Sequence, residues 1–203
     1  MLRFLSFFFI LIFCNSAFSS SKKDIISKME IMNNLSFNFI QIIDDKEQKG
    51  KCIIKYPKKI FCEYEGHKKK IVVSNGKSLV IKNRNNNSYY IYSLKNTPLN
   101  YLLDKNYLIS KINDLEARDV DNKYLNFTIL ENNNEINIFF DKKTSKIVGW
   151  QTQDIYQNLV ITFISSVKIN KKINDDIFIL PKKWLGNYLI NVSDLKIFIP
   201  RAK

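Results

Sequence analysis

From residue 35 onward the chain alternates apolar and polar side chains with period two, the pattern of strands that bury one face. Leu35, Phe37, Phe39, Gln41 and Ile43 share one face of a first strand over 35–43, and Ser36, Asn38, Ile40 and Ile42 share the other. Residues 50–76 read as three short strands, 51–55, 60–65 and 69–74, joined by a turn centred on Pro57-Lys58 and by Gly66-His67. The stretch ends at Asn75-Gly76, a dipeptide that takes positive φ easily and suits a hairpin turn. Further strands are predicted at 78–83, 88–93, 123–130, 135–140, 146–153 and 158–169, with a last one at 175–180. Two stretches break the period. Ile25, Met29 and Met32, with Ile26 beside them, recur at helical spacing and predict an amphipathic helix over 22–34. Residues 96–103 predict a helix of one or two turns, with Thr97 as N-cap, Pro98 at the first helical position and Leu99, Leu102 and Leu103 on one face. A helix that short must lie on something apolar to persist. Hairpin-connected strands with one helix before them and one between their halves predict a mainly β domain, a single highly curved antiparallel sheet wrapped over two small helical elements.

The first residues change the compartment. Met1-Leu2-Arg3 is a short positive start, residues 4–13 form an apolar run too short to span a bilayer, and Ala17-Phe18-Ser19 offers small residues for cleavage after Ser19. Residues 1–19 therefore read as a secretory signal. Cys14 follows the run, but Phe13 stands where a lipidation site needs a small residue. That leaves Cys52 and Cys62. In an oxidising compartment they predict a disulfide, because a turn at Pro57-Lys58 sets them nearly opposite each other on comparable faces. The alternative is two buried free thiols.

Catalytic chemistry is sparse. His67 is the single histidine and sits in a turn beside three lysines. The sequence offers no metal-ligand set, nucleophile elbow or phosphate-binding glycine loop. The acid pairs Asp44-Asp45 and Asp175-Asp176 sit where turns are expected. No catalytic residue, cofactor or metal ligand is therefore assigned, and the chain does not read as an enzyme. The net charge of +13 comes almost wholly from scattered lysine. Without an arginine stripe or basic helix it does not point to nucleic acid, and an anionic surface is the weaker reading. The surplus is apolar and aromatic, with 15 Phe and 10 Tyr, which favours function by burial over function by bond-making.

Four motifs then carry a resemblance to a known family. Phe39-Ile40-Gln41 closes the first strand as an F-x-Q. Gly50, the apolar stretch from Cys52 to Ile54, Pro57 and Cys62-Glu63-Tyr64 follow. Residues 71–79, IVVSNGKSL, come next, and then Asn96-Thr97-Pro98-Leu99 with Leu102-Leu103. In this order, over roughly 25–180, the chain resembles the periplasmic outer-membrane lipoprotein carrier family, LolA. The resemblance implies an unclosed β-barrel capped by α-helices over an apolar cavity that holds acyl chains, in a carrier domain over 20–183. It implies a monomer that takes acylated lipoproteins from an inner-membrane ABC transporter to an outer-membrane receptor in the periplasm of a Gram-negative bacterium. A related lipid-binding or receptor module of the same fold is the alternative. The cavity residues implied are Phe37, Phe39, Ile54, Ile60, Tyr64, Leu79, Tyr90 and Tyr92, and the lid is Pro98, Leu99, Leu102 and Leu103. Many family members have an arginine directly before the proline, tied to the lid. Here Tyr56 takes that lid-contact place, with Lys55 or Lys58 as substitutes. Cys52 and Cys62 stand where the family usually has large apolar cavity residues, which strengthens the expected disulfide. Residues 184–203 run past the usual family end and are read as an added strand or edge cover.

Overall fold

A computed structural model describes residues 16–66, 70–85, 88–154 and 157–180, with side chains described from residue 21. The leader expected over 1–19 lies outside the described residues except for 16–19, which open the first helix. His67 and the 184–203 extension also lie outside them. In chain order the elements are α1 (Ser16–Glu30), β1 (Asn34–Ile43), β2 (Lys46–Lys55), β3 (Lys59–Tyr64), β4 (Lys70–Asn75), β5 (Ser78–Asn83), β6 (Tyr89–Ser93), α2 (Leu99–Leu102), α3 (Lys105–Asp114), β7 (Arg118–Val120), β8 (Tyr124–Glu131), β9 (Asn134–Asp141), β10 (Ile147–Gln153) and β11 (Leu159–Ile169). The eleven strands form one antiparallel sheet in the order β6-β5-β4-β3-β2-β1-β11-β10-β9-β8-β7. It is two hairpin meanders joined back to back. The chain runs outward from β1 to β6, crosses over α2 and α3, and returns from β7 to β11, which pairs with β1 (Phe39 opposite Ile164). The sheet does not close: β6 and β7 remain its edges.

Register carries the period-two pattern into a concave apolar face. Cross-strand pairing aligns Leu35, Ile54, Ile60, Ser74, Leu79 and Tyr92 in one row. The next row is Phe37, Cys52, Cys62, Val72, Ile81 and Tyr90. In the other meander Thr162, Trp150, Ile138 and Phe127 align behind Gln41. Three turns need positive φ at two successive residues, Asp44-Asp45, Asp121-Asn122 and Asn132-Asn133. All six are Asp or Asn, the side chains that tolerate this region best after glycine.

Three expectations change. The first helix starts at Ser16 and ends at Glu30. The expected strand at 175–180 is instead a 3-10 turn over Asp175–Phe178, because the Asn174 side chain accepts the Asp176 N–H and Lys55 pairs with Asp175 at 2.7 Å. The crossover holds a second helix, α3, where none was expected. Asp104 caps it by accepting the Tyr107 N–H at 3.2 Å, and Leu108 and Ile112, four residues apart, are both buried. α1 and α3 run antiparallel: the Lys22 ammonium donates to Leu115 O at one end, and the Lys105 ammonium to Glu30 O at the other. Each cation meets the negative end of its partner's helix dipole. Ile25 and Met29 bury against the same core as Leu108 and Ile112. No helix among the described residues is long and apolar enough to cross a membrane.

Cys52 and Cys62 are directly opposite across β2 and β3, with Cα atoms 4.1 Å apart, and are disulfide-bonded. The bond closes a loop of 10 residues in sequence separation. Constraining a loop of that size in the unfolded chain stabilises the fold by roughly 2–3 kcal/mol. Reduction is therefore expected to lower the thermal midpoint by roughly 5–10 °C without changing the far-ultraviolet circular dichroism of the folded state. A melting series with and without reductant checks this.

Candidate functional site

The helices do not fill the concave face. Two cavities remain between sheet and helices. Lobe A, of about 320 Å³, lies over β1–β6, β10 and β11 and is lined by Phe37, Phe39, Cys52, Cys62, Tyr64, Val72, Leu79, Tyr92 and Thr162, with Thr97, Pro98 and Leu99 on its helical side. Lobe B, of about 330 Å³, is lined by Met29, Met32, Leu35, Ile54, Tyr56, Leu102, Leu103, Leu108, Ile138 and Phe140. Ile60, Leu99 and Trp150 line both and form the septum between them. Trp150 is held edge-on to Phe37, ring centroids 5.9 Å apart.

Small residues make the room in lobe A. Gly50 lies between Phe39 and Tyr64 in the cross-strand row, and those rings meet edge to face at 4.8 Å. A Cβ on Gly50 would run into Glu63 O and fall 2.7 Å from the Phe39 ring, so only glycine fits. The disulfide occupies the middle of the floor, where two large side chains would reach into the lobe. Polar groups gather at one end. The Tyr64 hydroxyl donates to Gln41 Oε1 at 3.0 Å, Gln41 Nε2 donates to Thr162 Oγ1 at 3.1 Å, and the Lys70 ammonium lies 3.7 Å from the Tyr64 ring centroid. Burial pushes the pKa of both Tyr56 and Tyr64 up to about 12, so the two phenols stay neutral at physiological pH.

Of the residues expected to line a cavity, Phe37, Phe39, Ile60, Tyr64, Leu79 and Tyr92 line lobe A, and Ile54 lines lobe B. Tyr90 does not join them. It faces the concave side opposite Ile81, but on edge strand β6 it is 48 % exposed and lies outside both lobes. The expected lid residues divide: Pro98 faces lobe A, Leu102 and Leu103 face lobe B, and Leu99 faces both. Thr97 does not cap α2. Its hydroxyl donates backward to Leu94 O at 2.8 Å, finishing the preceding 3-10 turn, and Pro98 takes the cap position.

Tyr56 packs in lobe B, and the polar tie to the segment expected as the lid comes from Lys58. In the β2–β3 turn, where the Tyr56–Pro57 peptide is cis and Lys58 has φ +67°, the Lys58 N–H donates to Leu103 O at 2.7 Å. The Lys58 ammonium stands 3.5 Å from Asp104, the cap of α3. Lys55 turns away to Asp175. The far side of the lid is held by the β8–β9 hairpin. Asn132 Nδ2 donates to the Tyr101 hydroxyl at 2.7 Å, the Tyr107 hydroxyl donates to Glu131 at 2.8 Å, and Lys111 reaches the same carboxylate oxygen at 3.2 Å. α2 and α3 thus bridge a hairpin of each meander. Of these ties the sequence points to Lys58 alone, as a substitute for Tyr56; the contacts to the β8–β9 hairpin join residues far apart along the chain and carry no sequence signal.

A model of the family described as the outer membrane lipoprotein carrier protein LolA matches residues 30–180. A search of curated proteins finds no match. Three similar crystal structures are an uncharacterised conserved protein from Thermus thermophilus, a LolA superfamily protein from Nitrosomonas europaea, and an outer membrane lipoprotein-sorting protein domain from Vibrio parahaemolyticus. The first is 9 % identical with TM-score 0.48, covering 81 % of this chain and 94 % of that one. The second is 9 % identical with TM-score 0.42, covering 80 % and 97 %. The third is 7 % identical with TM-score 0.44, covering 84 % and 99 %.

The Tyr107 hydroxyl, and then Lys111, hold the Glu131 carboxyl below its ordinary range. The fold therefore favours the ionised form. Its contribution is complete above the ordinary glutamate pKa of about 4.3 and is lost as pH falls through the lower folded value. Glu131→Gln is expected to lower the melting temperature at pH 7, and the gap from wild type to shrink as pH falls through the lowered folded-state value. A pH-independent gap would place Glu131's role in packing rather than charge.

Proposed function

We propose that this chain, which belongs to the family of the outer membrane lipoprotein carrier protein LolA, works in the periplasm and carries acylated lipoproteins by sequestering their acyl chains in lobes A and B. Cargo then arrives from an inner-membrane ABC transporter and leaves to an outer-membrane receptor. The observation that supports this reading is the pair of apolar lobes roofed by α2 and α3. Burying one methylene contributes about 0.8 kcal/mol, so a chain threading one lobe gains on the order of 10 kcal/mol. At ~30 Å³ per methylene, about the share of one water, the two lobes together hold on the order of twenty. That is short of two full-length acyl chains, so loading displaces the lid.

Native mass spectrometry of protein purified from periplasm tests this reading. A one-to-one complex with a triacylated lipoprotein is expected. Leu99→Glu puts a carboxylate in the septum, where burying charge without a partner is unfavourable, and is expected to abolish pickup from inner-membrane vesicles. Leu99→Ala, which opens the septum, is expected to retain pickup. Both variants are compared at matched thermal stability. Empty wild-type protein under loading conditions that saturate a known carrier would sink the proposal.

A further inference from the structure

The two lobes differ at their mouths. At the polar end of lobe A, Lys70 donates to Gln48 Oε1 at 3.0 Å and covers the Tyr64 ring, while Gln41, Tyr64 and Thr162 bond one another. Asp154 lines the same lobe, so negative charge is already present there.

Among the residues that line lobe B, Ile31 is 62 % exposed, Ile169 41 % and the Lys28 side chain 42 %, and Lys146 is exposed as well, which sets a mouth of the lobe at these four. Its mouth is thus apolar on one side and cationic on the other. The acidic group nearest Lys28 is already engaged. Asp24 takes Lys28 at 2.6 Å and the Ser145 hydroxyl, which together hold its carboxyl low. Asp141, at the start of the turn that carries Lys146, accepts the Thr144 N–H and hydroxyl, each at 2.7 Å. Lys146 forms no ion pair among those observed between the described residues. Lys28 and Lys146 are the charged residues that line lobe B, and neither Asp24 nor Asp141 lines it, so the groups that face the mouth are cationic. Behind it Met29 and Met32, flexible thioethers that adapt to irregular chains, line the entry.

We propose that lobe B is a binding site for a single-chain anionic lipid, a fatty acid or lysophospholipid, with the hydrocarbon between Met29, Leu35, Leu108 and Ile138 and the carboxylate or phosphate at Lys146 and Lys28. The proposal rests on the acyl-binding reading of the cavity but does not require lipoprotein as cargo.

The probes are oleate, lyso-phosphatidylglycerol and the neutral oleyl alcohol, titrated against protein carrying ¹³C-methyl methionine and scored by displacement of cis-parinarate. Both anions are expected to bind one to one, to shift the Met29 and Met32 methyl signals, and to bind more tightly than the alcohol. Lys146→Glu is expected to weaken the anions about five-fold, the effect of one partly exposed ion pair, and to leave the alcohol unchanged. Lys51→Glu, the same charge change on the outer face of β2, is the control and is expected to change neither. If oleate alone binds, the head group is a carboxylate; if the lysophospholipid alone binds, it is a phosphate; either supports the site. Equal affinity for oleate and alcohol, unmoved methionine signals, or equal losses in the Lys146 and Lys51 variants would each overturn it. Anion binding without lipoprotein pickup defeats the carrier reading alone, and pickup without anion preference defeats this one alone.

Discussion

Everything in this structure follows from a mismatch of areas. An antiparallel sheet of eleven strands curls around an apolar concave face but does not close on itself. The helices that must cover that face are short: α2 has four residues and α3 ten. Protein interiors normally pack as tightly as organic crystals. A chain that only needed stability would fill such a concavity with larger side chains or longer helices. Here Phe127, Ile136 and Ile138 are fully buried, yet the face stays hollow in two places: lobe A beside α2, and lobe B between α1, α2 and α3.

The hollow is made by residue choice at particular register positions. In the row that runs through Phe39 and Tyr64, glycine at position 50 lets two rings lie over bare backbone. In the neighbouring row, a disulfide replaces two bulky side chains and compensates for the packing lost there by constraining the unfolded chain. Ser74, fully buried in the third row, donates to Lys58 O at 3.0 Å and so links the cavity floor to the turn that holds the lid. Floor, turn and lid are one connected piece of chemistry.

Ten of the eleven strands were legible because each has a buried face, and period two survives any uncertainty about topology; β7, three residues long with none buried, was not. The cysteine pair was legible because a proline-centred turn fixes the register on both sides of it. The family likeness was legible because its motifs cluster where the sheet meets the lid. α3 was missed although Leu108, Ile112 and the Asp104 cap were in plain view; the apolar face is narrow, and the preceding helix drew the reading to itself. Tyr90 was among the cavity residues that the resemblance implies, and it lies outside both lobes. A position near an open edge loses burial that register cannot reveal. The division into two lobes was beyond the sequence. It depends on Leu99, Ile60 and Trp150 converging from a helix and two strands of different meanders.

The lid's energetics follow from how its contacts are distributed. Its polar ties sit at the rim. The Lys58–Asp104 and Lys111–Glu131 pairs are about a third exposed, and pairs of that kind contribute about 0–1 kcal/mol each. Its apolar contacts sit in the middle, where Leu102 and Leu103 are buried. Fully burying such a side chain contributes about 1.5–3 kcal/mol. If this roof opens as the proposed function requires, opening costs mainly apolar burial, and an entering hydrocarbon chain would restore apolar burial of the same kind. For a carrier of the proposed type, the net affinity is the difference between two large similar terms. A lid that grips its own cavity when empty keeps that difference small enough for cargo to leave, while the rim ties, too weak to decide the balance, set where the lid lands when it closes.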